Sequence, residues 1–220
     1  MKSMKKIVCL TLALLLCLSA AALAEEAVPS KNTSDMVVVQ MDPALNPGIP
    51  VDSGFVVLSV LEEDEAHLEA YPEHIALCRE EIAKLADSAA GGMDASGVEA
   101  YFGEVRDSEG NVIVLSEALT AQALNVFEFM PLVAVNYDET YGSVTLSFQF
   151  KTPYAQDEPV LVLIGIRNAG IGEMEWTAFE GVGTGEEGTV QVEFTPEILK
   201  AIQENNALLA VVSAAETEVQ

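Results

Sequence analysis

The sequence has few basic residues: 10 lysines and arginines stand against 35 aspartates and glutamates, and the 220 residues carry a formal net charge of -25. Nucleic-acid binding needs clustered lysine and arginine to neutralise phosphates, and the basic residues here are scattered. The balance argues against a nucleic-acid-binding protein and against attraction to an anionic membrane surface. Half of the residues are hydrophobic, which excludes an intrinsically disordered chain.

Cysteine and histidine are scarce too. Cys9 and Cys17 fall in an N-terminal segment that we expect to be removed, so Cys78 alone remains and a disulfide-stapled miniprotein is excluded. A lone thiol on an apolar helix face indicates a small buried residue rather than a reactive one. His67 and His74 are the only histidines, and because they are neighbours in sequence a Ser-His-Asp or Cys-His triad has few ways to assemble.

The first 24 residues have the pattern of a bacterial signal peptide. Lysines precede an apolar stretch at 7–18, and Ala22 and Ala24 place small residues where signal peptidase reads them. We therefore expect cleavage after Ala24 and a secreted, extracellular protein, with no membrane association once the leader is removed. Lipoprotein anchoring at Cys17 is disfavoured, because a leucine precedes the cysteine and the sequence after it stays apolar.

The clearest helix begins at Pro72, since proline suits a first turn and Glu73 complements the positive helix end; Gly91 and Gly92 end it. Its apolar face at helical spacing consists of Ile75, Cys78, Ile82 and Leu85. Its polar side is expected to hold Arg79, Glu80, Glu81 and Lys84. Before it, apolar runs at 36–41 and 55–61 have the length of strands, and residues 98–105 are ambiguous.

From residue 124 onward the hydrophobic period changes to two. Residues 144–151 and 190–195 alternate between apolar and polar, as half-buried strands do. Residues 160–166 and 207–212 are apolar on both faces, which predicts central strands that are covered on both sides.

Two prolines mark further features of this half. Pro131 interrupts an apolar run and predicts a bulge or an edge. Pro196 follows Thr195, a good cap, and predicts a helix up to Asn205. The inward side of that helix is expected to hold Ile198, Leu199 and Ile202.

About six strands after residue 120, with glycine-rich turns, favour a mainly β fold with some α: a β-sandwich carrying an N-terminal α+β cap with one amphipathic helix. The predicted division is a signal peptide at 1–24, a flexible tether at 25–35, the cap at 36–120 and the sandwich at 121–220.

Short motifs predict no cofactor, metal or catalytic site. His74 and Cys78 have metal-ligand spacing on a helix, but no third ligand is evident, and a surface histidine beside a buried cysteine is the better interpretation. Residues 183–188 match G-x-G-x-x-G, yet a strand follows where a nucleotide-binding helix is needed, which indicates a hairpin loop.

Two acidic stretches are weak calcium candidates. Asp107, Glu109 and Asn111 alternate as calcium ligands do, but the glycine of this stretch, Gly110, is out of place for an EF-hand, and a turn is the better interpretation. The run at 62–65 is more typical of a solvated acidic surface. Carboxylates are so common that no pair of them points to a glycosidase.

The last 60 or so residues resemble immunoglobulin-like β-sandwich modules of secreted or surface Gram-positive bacterial proteins. The resemblance lies in 160–163, in a hairpin bearing Trp176, in the Gly-Thr-Val strand at 188–194 and in the apolar last strand at 208–213. The inserted helix at 196–205 departs from that pattern. The resemblance implies adhesion, spacing or ligand presentation, with no catalytic residues. Trp176 falls in strand register, which favours a core role over a glycan-stacking platform.

These features predict a secreted, non-catalytic binding or structural protein of the bacterial cell exterior. Its ligand is left open by the sequence, with a protein or a cell-wall glycan as the candidates. Two alternatives remain open at the level of sequence: a secreted hydrolase that uses a carboxylate pair, and a calcium-dependent adhesion module.

Overall fold

The computed structural model describes residues 38–89, 95–121, 124–150, 154, 156–167, 172–184 and 188–214. The predicted signal peptide, its cleavage site, the lipoprotein cysteine and the tether lie outside these residues, as do the glycines predicted to end the first long helix.

The described residues form ten strands and five α-helices. The strands are β1 Val38–Gln40, β2 Val56–Ser59, β3 Val105–Asp107, β4 Val112–Ile113, β5 Leu124–Val135, β6 Val144–Gln149, β7 Pro159–Arg167, β8 Met174–Gly183, β9 Thr189–Phe194 and β10 Ala207–Ala214. The helices are α1 Glu65–Ala70, α2 Pro72–Ala89, α3 Ala95–Phe102, α4 Leu115–Ala118 and α5 Pro196–Glu204, and a 3-10 turn spans Glu139–Tyr141. The mainly β composition and the six strands after residue 120 are confirmed.

All ten strands belong to one sheet. Its main path runs β1-β6-β9-β8-β7-β10-β5-β2 with antiparallel neighbours, while β3 pairs in parallel with β8 and antiparallel with β4. The end strands β1 and β2 lie beside each other, so the sheet is nearly closed and barrel-like. The two-sheet packing of an immunoglobulin-like sandwich is not confirmed. The N-terminal segment contributes both end strands as well as helices.

The inner face of this sheet holds a filled core. Aromatic rings occupy its centre, with the Phe179 and Phe194 ring centroids 5.0 Å apart and those of Phe148 and Phe194 5.9 Å apart. The predicted helix after Thr195 is confirmed as α5, and its buried side chains join the same core. They are Ile198, Leu199 and Ile202.

The outer face of the central strands is covered by helices. In β7, Leu161 and Leu163 pack in a cluster with residues of α2 and α3, whereas Val162 and Ile164 point into the barrel core. The same alternation holds for β10. The prediction that these two strands are central and covered on both faces is therefore confirmed.

Two details of the helical layer differ from expectation. Residues 63–65 of the acidic run are exposed, as predicted, but Asp64 also caps α1, a helix that was not predicted. Its side chain accepts hydrogen bonds from the backbone N–H groups of Ala66 at 2.8 Å and His67 at 3.3 Å. Glu81, placed on the polar side of α2 by its charge, is instead 3 % exposed.

The residues 98–105, whose secondary structure the sequence left ambiguous, are divided between the end of α3 and the start of β3.

Pro131 lies where the pairing of β5 changes. The β2 ladder ends one residue away, at Leu132, and the register against β10 shifts between Val211 and Val212. The missing N–H of Pro131 thus lies just beyond the end of the ladder between β2 and β5. The predicted bulge lies a few residues earlier in β5, where the register against β10 shifts.

Gly165 in β7 leaves room for the side chains of β8. It pairs with Trp176, and a Cβ atom built on it would lie 2.7 Å from the indole Cζ3 atom and 2.6 Å from Met174 Cε. Real Cβ atoms do not approach so closely, so the indole fits because position 165 has no side chain. Trp176 is 4 % exposed and its ring centroid is 4.9 Å from that of Phe102. Its predicted core position is confirmed.

We expect Trp176→Ala to lower the free energy of unfolding by about 3–5 kcal/mol, because it leaves a cavity between the sheet and α3. Gly165→Ala overpacks the same place and should cost about 1–3 kcal/mol. In the Trp176→Ala background the same glycine change should cost much less. Denaturant unfolding of the four proteins measures the coupling, and strictly additive costs would contradict this account.

Candidate functional site

A groove of about 920 Å³ lies between α2, the junction of α3 with β3, and the start of β8. We call it the helix–sheet groove. Its lining includes Tyr101 and the buried residues Phe102 and Trp176, together with charged residues. These acidic and basic side chains are Glu81, Lys84, Asp87, Glu104, Arg106, Glu173 and Glu175.

Glu81 is a buried carboxylate in the wall of this groove. Position 81 lies four residues after Leu77 and three after Cys78, so the helical period places it on the buried face of α2. The Tyr101 hydroxyl donates to Oε2 at 3.0 Å, and Lys84 Nζ donates to Oε1 at 2.7 Å. Both carboxylate oxygens are therefore satisfied, which a buried charge requires.

Tyr101 connects this carboxylate to the buried rings of Phe102 and Trp176. Its ring centroid is 4.9 Å from that of Phe102 and 6.3 Å from that of Trp176. Burial, followed by the negative charge of Glu81, raises the pKa of the Tyr101 phenol above its ordinary value. The phenol thus keeps its proton and remains the hydrogen-bond donor to Glu81.

The basic groups of the groove are held by acidic partners. Lys84 bridges Glu81 and Glu80, and its pKa is raised chiefly by the hydrogen bond to Glu80. Arg106 pairs with Glu104, and its Nη1 atom donates to the Gly110 carbonyl at 2.7 Å. Five carboxylates against two cations leave the groove with an excess of negative charge.

The hydrolase alternative needs a carboxyl whose pKa is raised so that it can act as an acid. Four carboxyls outside the groove show the opposite shift. The pKa of Glu62, Glu80, Asp107 and Asp138 is lowered in each case, chiefly by a hydrogen bond from a neighbouring side chain. The carboxylate-pair hydrolase therefore stays an untested prediction.

The two histidines lie at the junction of α1 with α2, on either side of Tyr71. His67 accepts a hydrogen bond at Nδ1 from the Leu61 N–H at 3.0 Å, and both imidazoles meet the Tyr71 ring edge-on. His74 and Cys78 are four residues apart on α2, and Cys78 is buried. Among the described residues, no three side chains of the metal-binding types converge.

Cys78 is 7 % exposed, and its thiol lies 3.8 Å from the Phe129 carbonyl oxygen. Burial, followed by the charge of Glu62, raises its pKa to about 12. The expectation of a small buried residue is confirmed, because the thiolate that reacts or binds metal is disfavoured here.

The candidate calcium stretch is a tight turn between β3 and β4. Asp107 Oδ1 accepts hydrogen bonds from the N–H groups of Glu109 at 2.9 Å and Asn111 at 2.8 Å, and Oδ2 accepts from the Asn111 side chain. Gly110 has φ +88, which glycine adopts without strain. The interpretation as a turn is confirmed. In the other acidic stretch, Glu62 pairs with Arg79.

The G-x-G-x-x-G stretch joins β8 to β9. Gly183 pairs with Val190 in an antiparallel ladder, so the hairpin interpretation is confirmed. The three residues at 185–187 lie outside the described part of the chain.

No protein family, curated protein or solved structure matches this chain. Within the described residues, no helix is both long and apolar enough to cross a bilayer.

The sequence did not single out this groove, because its parts come from separate segments. A signal was nevertheless present: Leu77, Cys78, Glu81 and Leu85 share one helix face. A lone charged residue in an apolar stripe indicates a buried polar contact, and Glu81 makes one.

We expect Tyr101→Phe to lower the free energy of unfolding by about 1–3 kcal/mol, because Glu81 then keeps a buried oxygen without its donor. Denaturant unfolding measures the change. In a Glu81→Leu background, where no carboxylate remains to be satisfied, the same tyrosine change should cost much less. An equal cost in both backgrounds would show that the hydroxyl does not act through Glu81.

His74 makes stability depend on pH. Burial lowers its pKa below the ordinary 6.5, although the nearby Glu73 charge and a hydrogen bond to the Asn205 backbone oppose the shift. The unfolded chain therefore binds the proton more readily, and the fold loses stability as the pH falls from about 7 through 6.5 towards the lower folded value. We expect the unfolding free energy of wild type to fall more over that range than that of His74→Gln. Parallel curves for the two proteins would contradict this.

Proposed function

We propose that this chain is a secreted, non-catalytic binding protein of the bacterial cell exterior, and that it holds its ligand in the helix–sheet groove. The observation that carries the proposal is the groove itself: a cavity of about 920 Å³ lined by both charged and apolar residues. Ligand sites are typically clefts of about 300–1,000 Å³ that combine apolar lining with a few polar groups.

The barrel interior supports the choice of this groove. Its core is filled by the chain's own side chains, among them Phe148, Phe179 and Phe194. A ligand therefore meets the protein on the outside of the sheet, where the helical layer ends at the start of β8.

The state of the polar groups in the groove supports a binding role. Tyr101 keeps its proton because its pKa is raised, and Glu81 is held between that hydroxyl and Lys84. A general base or nucleophile must be able to give or take a proton near the operating pH. The phenol of Tyr101 is instead held in its neutral form by burial, which suits a rigid binding surface.

The relation to immunoglobulin-like surface modules is part of the same proposal. It is carried by β7 to β10, where the tryptophan-bearing strand, the Gly-Thr-Val strand and the apolar last strand lie in one antiparallel sheet. Secretion is supported by the sequence of residues 1–24.

The proposal is tested by sedimentation. The chain from Glu25 to Gln220 is mixed with cell walls of the producing organism at low and at high salt, and the pellet is assayed. Ala100→Tyr fills the groove from α3, and Ala83→Tyr makes the same change at an exposed position of α2 outside the groove. We expect the wild type and the Ala83→Tyr variant to sediment with the walls at high salt. The amount of the Ala100→Tyr variant in the pellet should be at least about tenfold lower.

Equal retention of both tyrosine variants would show that the groove does not bind the wall. If the wild type itself stays in the supernatant, the protein does not bind the wall, and a wall ligand for the groove is refuted.

A further inference from the structure

We infer that the chain has a second binding site, for an uncharged sugar chain, on the outer face of strands β1, β6 and β9. The site is a groove of about 500 Å³, which we call the strand groove. No described residue lines both this groove and the helix–sheet groove. The inference therefore goes beyond the proposed function and does not depend on it.

The register of the three strands brings amide and hydroxyl side chains together in this groove. Ser147 of β6 pairs with Gln40 of β1 on one side and with Gln191 of β9 on the other, which gives one row across the sheet. Residues two apart on a strand share a face, so Gln149 and its partner Thr189 form the next row of the same face. Three of the chain's seven glutamines thus converge in one groove, one from each strand.

The outer face of these strands is open to a ligand. In β6 and β9, buried residues alternate with residues that solvent reaches, and the groove is lined by the second set. Gln40 and Gln149 are exposed and Gln191 is half-buried. Within the described part of the chain, none of these three amides is bonded to another group of the protein. Their donors and acceptors are therefore satisfied by water, which a ligand can replace.

The chemistry of the lining favours an uncharged ligand that carries both donors and acceptors. An amide presents an NH₂ donor beside a carbonyl acceptor, and a hydroxyl group is both donor and acceptor. No lysine or arginine lines the described part of the groove, so an anionic ligand would find no cation there. Its one described charged residue is Asp42, whose Oδ1 atom already accepts a hydrogen bond from the Ala44 N–H at 2.8 Å.

The size and spacing of the site suit a sugar chain. A volume of about 500 Å³ is that of an ordinary small-ligand cleft, which holds about 300–1,000 Å³. Neighbouring strands lie about 4.8 Å apart, so each row repeats its hydrogen-bonding groups at that distance. The hydroxyl groups of successive sugar rings form a similar series of neutral donors and acceptors.

The inference is tested with soluble tetrasaccharides. Chitotetraose and cellotetraose are uncharged, with and without acetamido groups, and the fully deacetylated chitotetraose is the cationic control. Each is titrated by calorimetry into the chain from Glu25 to Gln220, which includes every described residue, at low and at high salt. We expect at least one uncharged tetramer to bind with the same Kd at both salt concentrations, because no ion pair is formed.

Two double variants separate the groove from the rest of the same sheet face. Ser147→Ala with Gln191→Ala removes a cross-strand pair inside the groove. Thr145→Ala with Glu193→Ala removes the adjacent pair, on the same strands and the same face but outside the lining. We expect the groove pair to weaken the Kd about tenfold through the lost hydrogen bonds, and the control pair to change it less than about twofold.

A milder variant keeps the test independent of folding. Gln149→Ala changes one exposed side chain of the groove and should weaken the Kd about threefold. Denaturant unfolding of all variants checks that each one folds.

Three results would overturn the inference. One is that neither uncharged tetramer binds. Another is that the groove pair and the control pair weaken binding equally, which would place the sugar elsewhere. The third is that the cationic tetramer binds more tightly than the uncharged ones and is released by salt, which would mean diffuse attraction to an acidic protein.

The proposed function fails separately, because its test uses cell walls and a substitution in the other groove. If Ala100→Tyr leaves wall retention unchanged while a tetramer binds the strand groove, only the role of the helix–sheet groove is wrong. If Ala100→Tyr abolishes retention and no tetramer binds, only the sugar site is wrong.

Discussion

Strands β7 and β10 carry apolar side chains on both faces, and each face has to be removed from water. The inner face is covered because the sheet curls until β1 and β2 meet, so that the strands cover one another across a filled core. The outer face is covered by α2 and α3. The helical layer follows from this second requirement, and the helix–sheet groove lies where that layer ends along β8.

The groove contains both buried and exposed carboxylates, because it lies at the edge of the helical layer. Deep in its wall, Glu81 is held by Tyr101 and Lys84, so a buried charge is fully partnered. Nearer to solvent, Glu173 and Glu175 are exposed. The buried group links α2 to α3 through Tyr101, and the exposed groups lie on the solvent side of the groove.

The strands and helices that repeat a clear hydrophobic period could be predicted from the sequence. Residues 160–166 and 207–212 are apolar throughout, and strands of that composition can only be central. Sheet closure could not be predicted, because the pairing of β1 with β6 and of β2 with β5 joins segments far apart in the chain. The prediction placed Glu81 on the polar side of α2 because its charge was given more weight than its position in the helical repeat. The short helix α1 was missed because its main signal is one capping residue, Asp64.

The closure by β1 and β2 also has a consequence for the order of folding. Gln40 pairs with Ser147 and Val56 with Val135, so the first strands to be synthesised have no partners until most of the chain exists. Their partners in turn pair with β9 and β10, which are made last. Contacts between such distant segments make folding slow, because a long loop must close before they form. A sheet with this connectivity is complete only once β9 and β10 are available to pair.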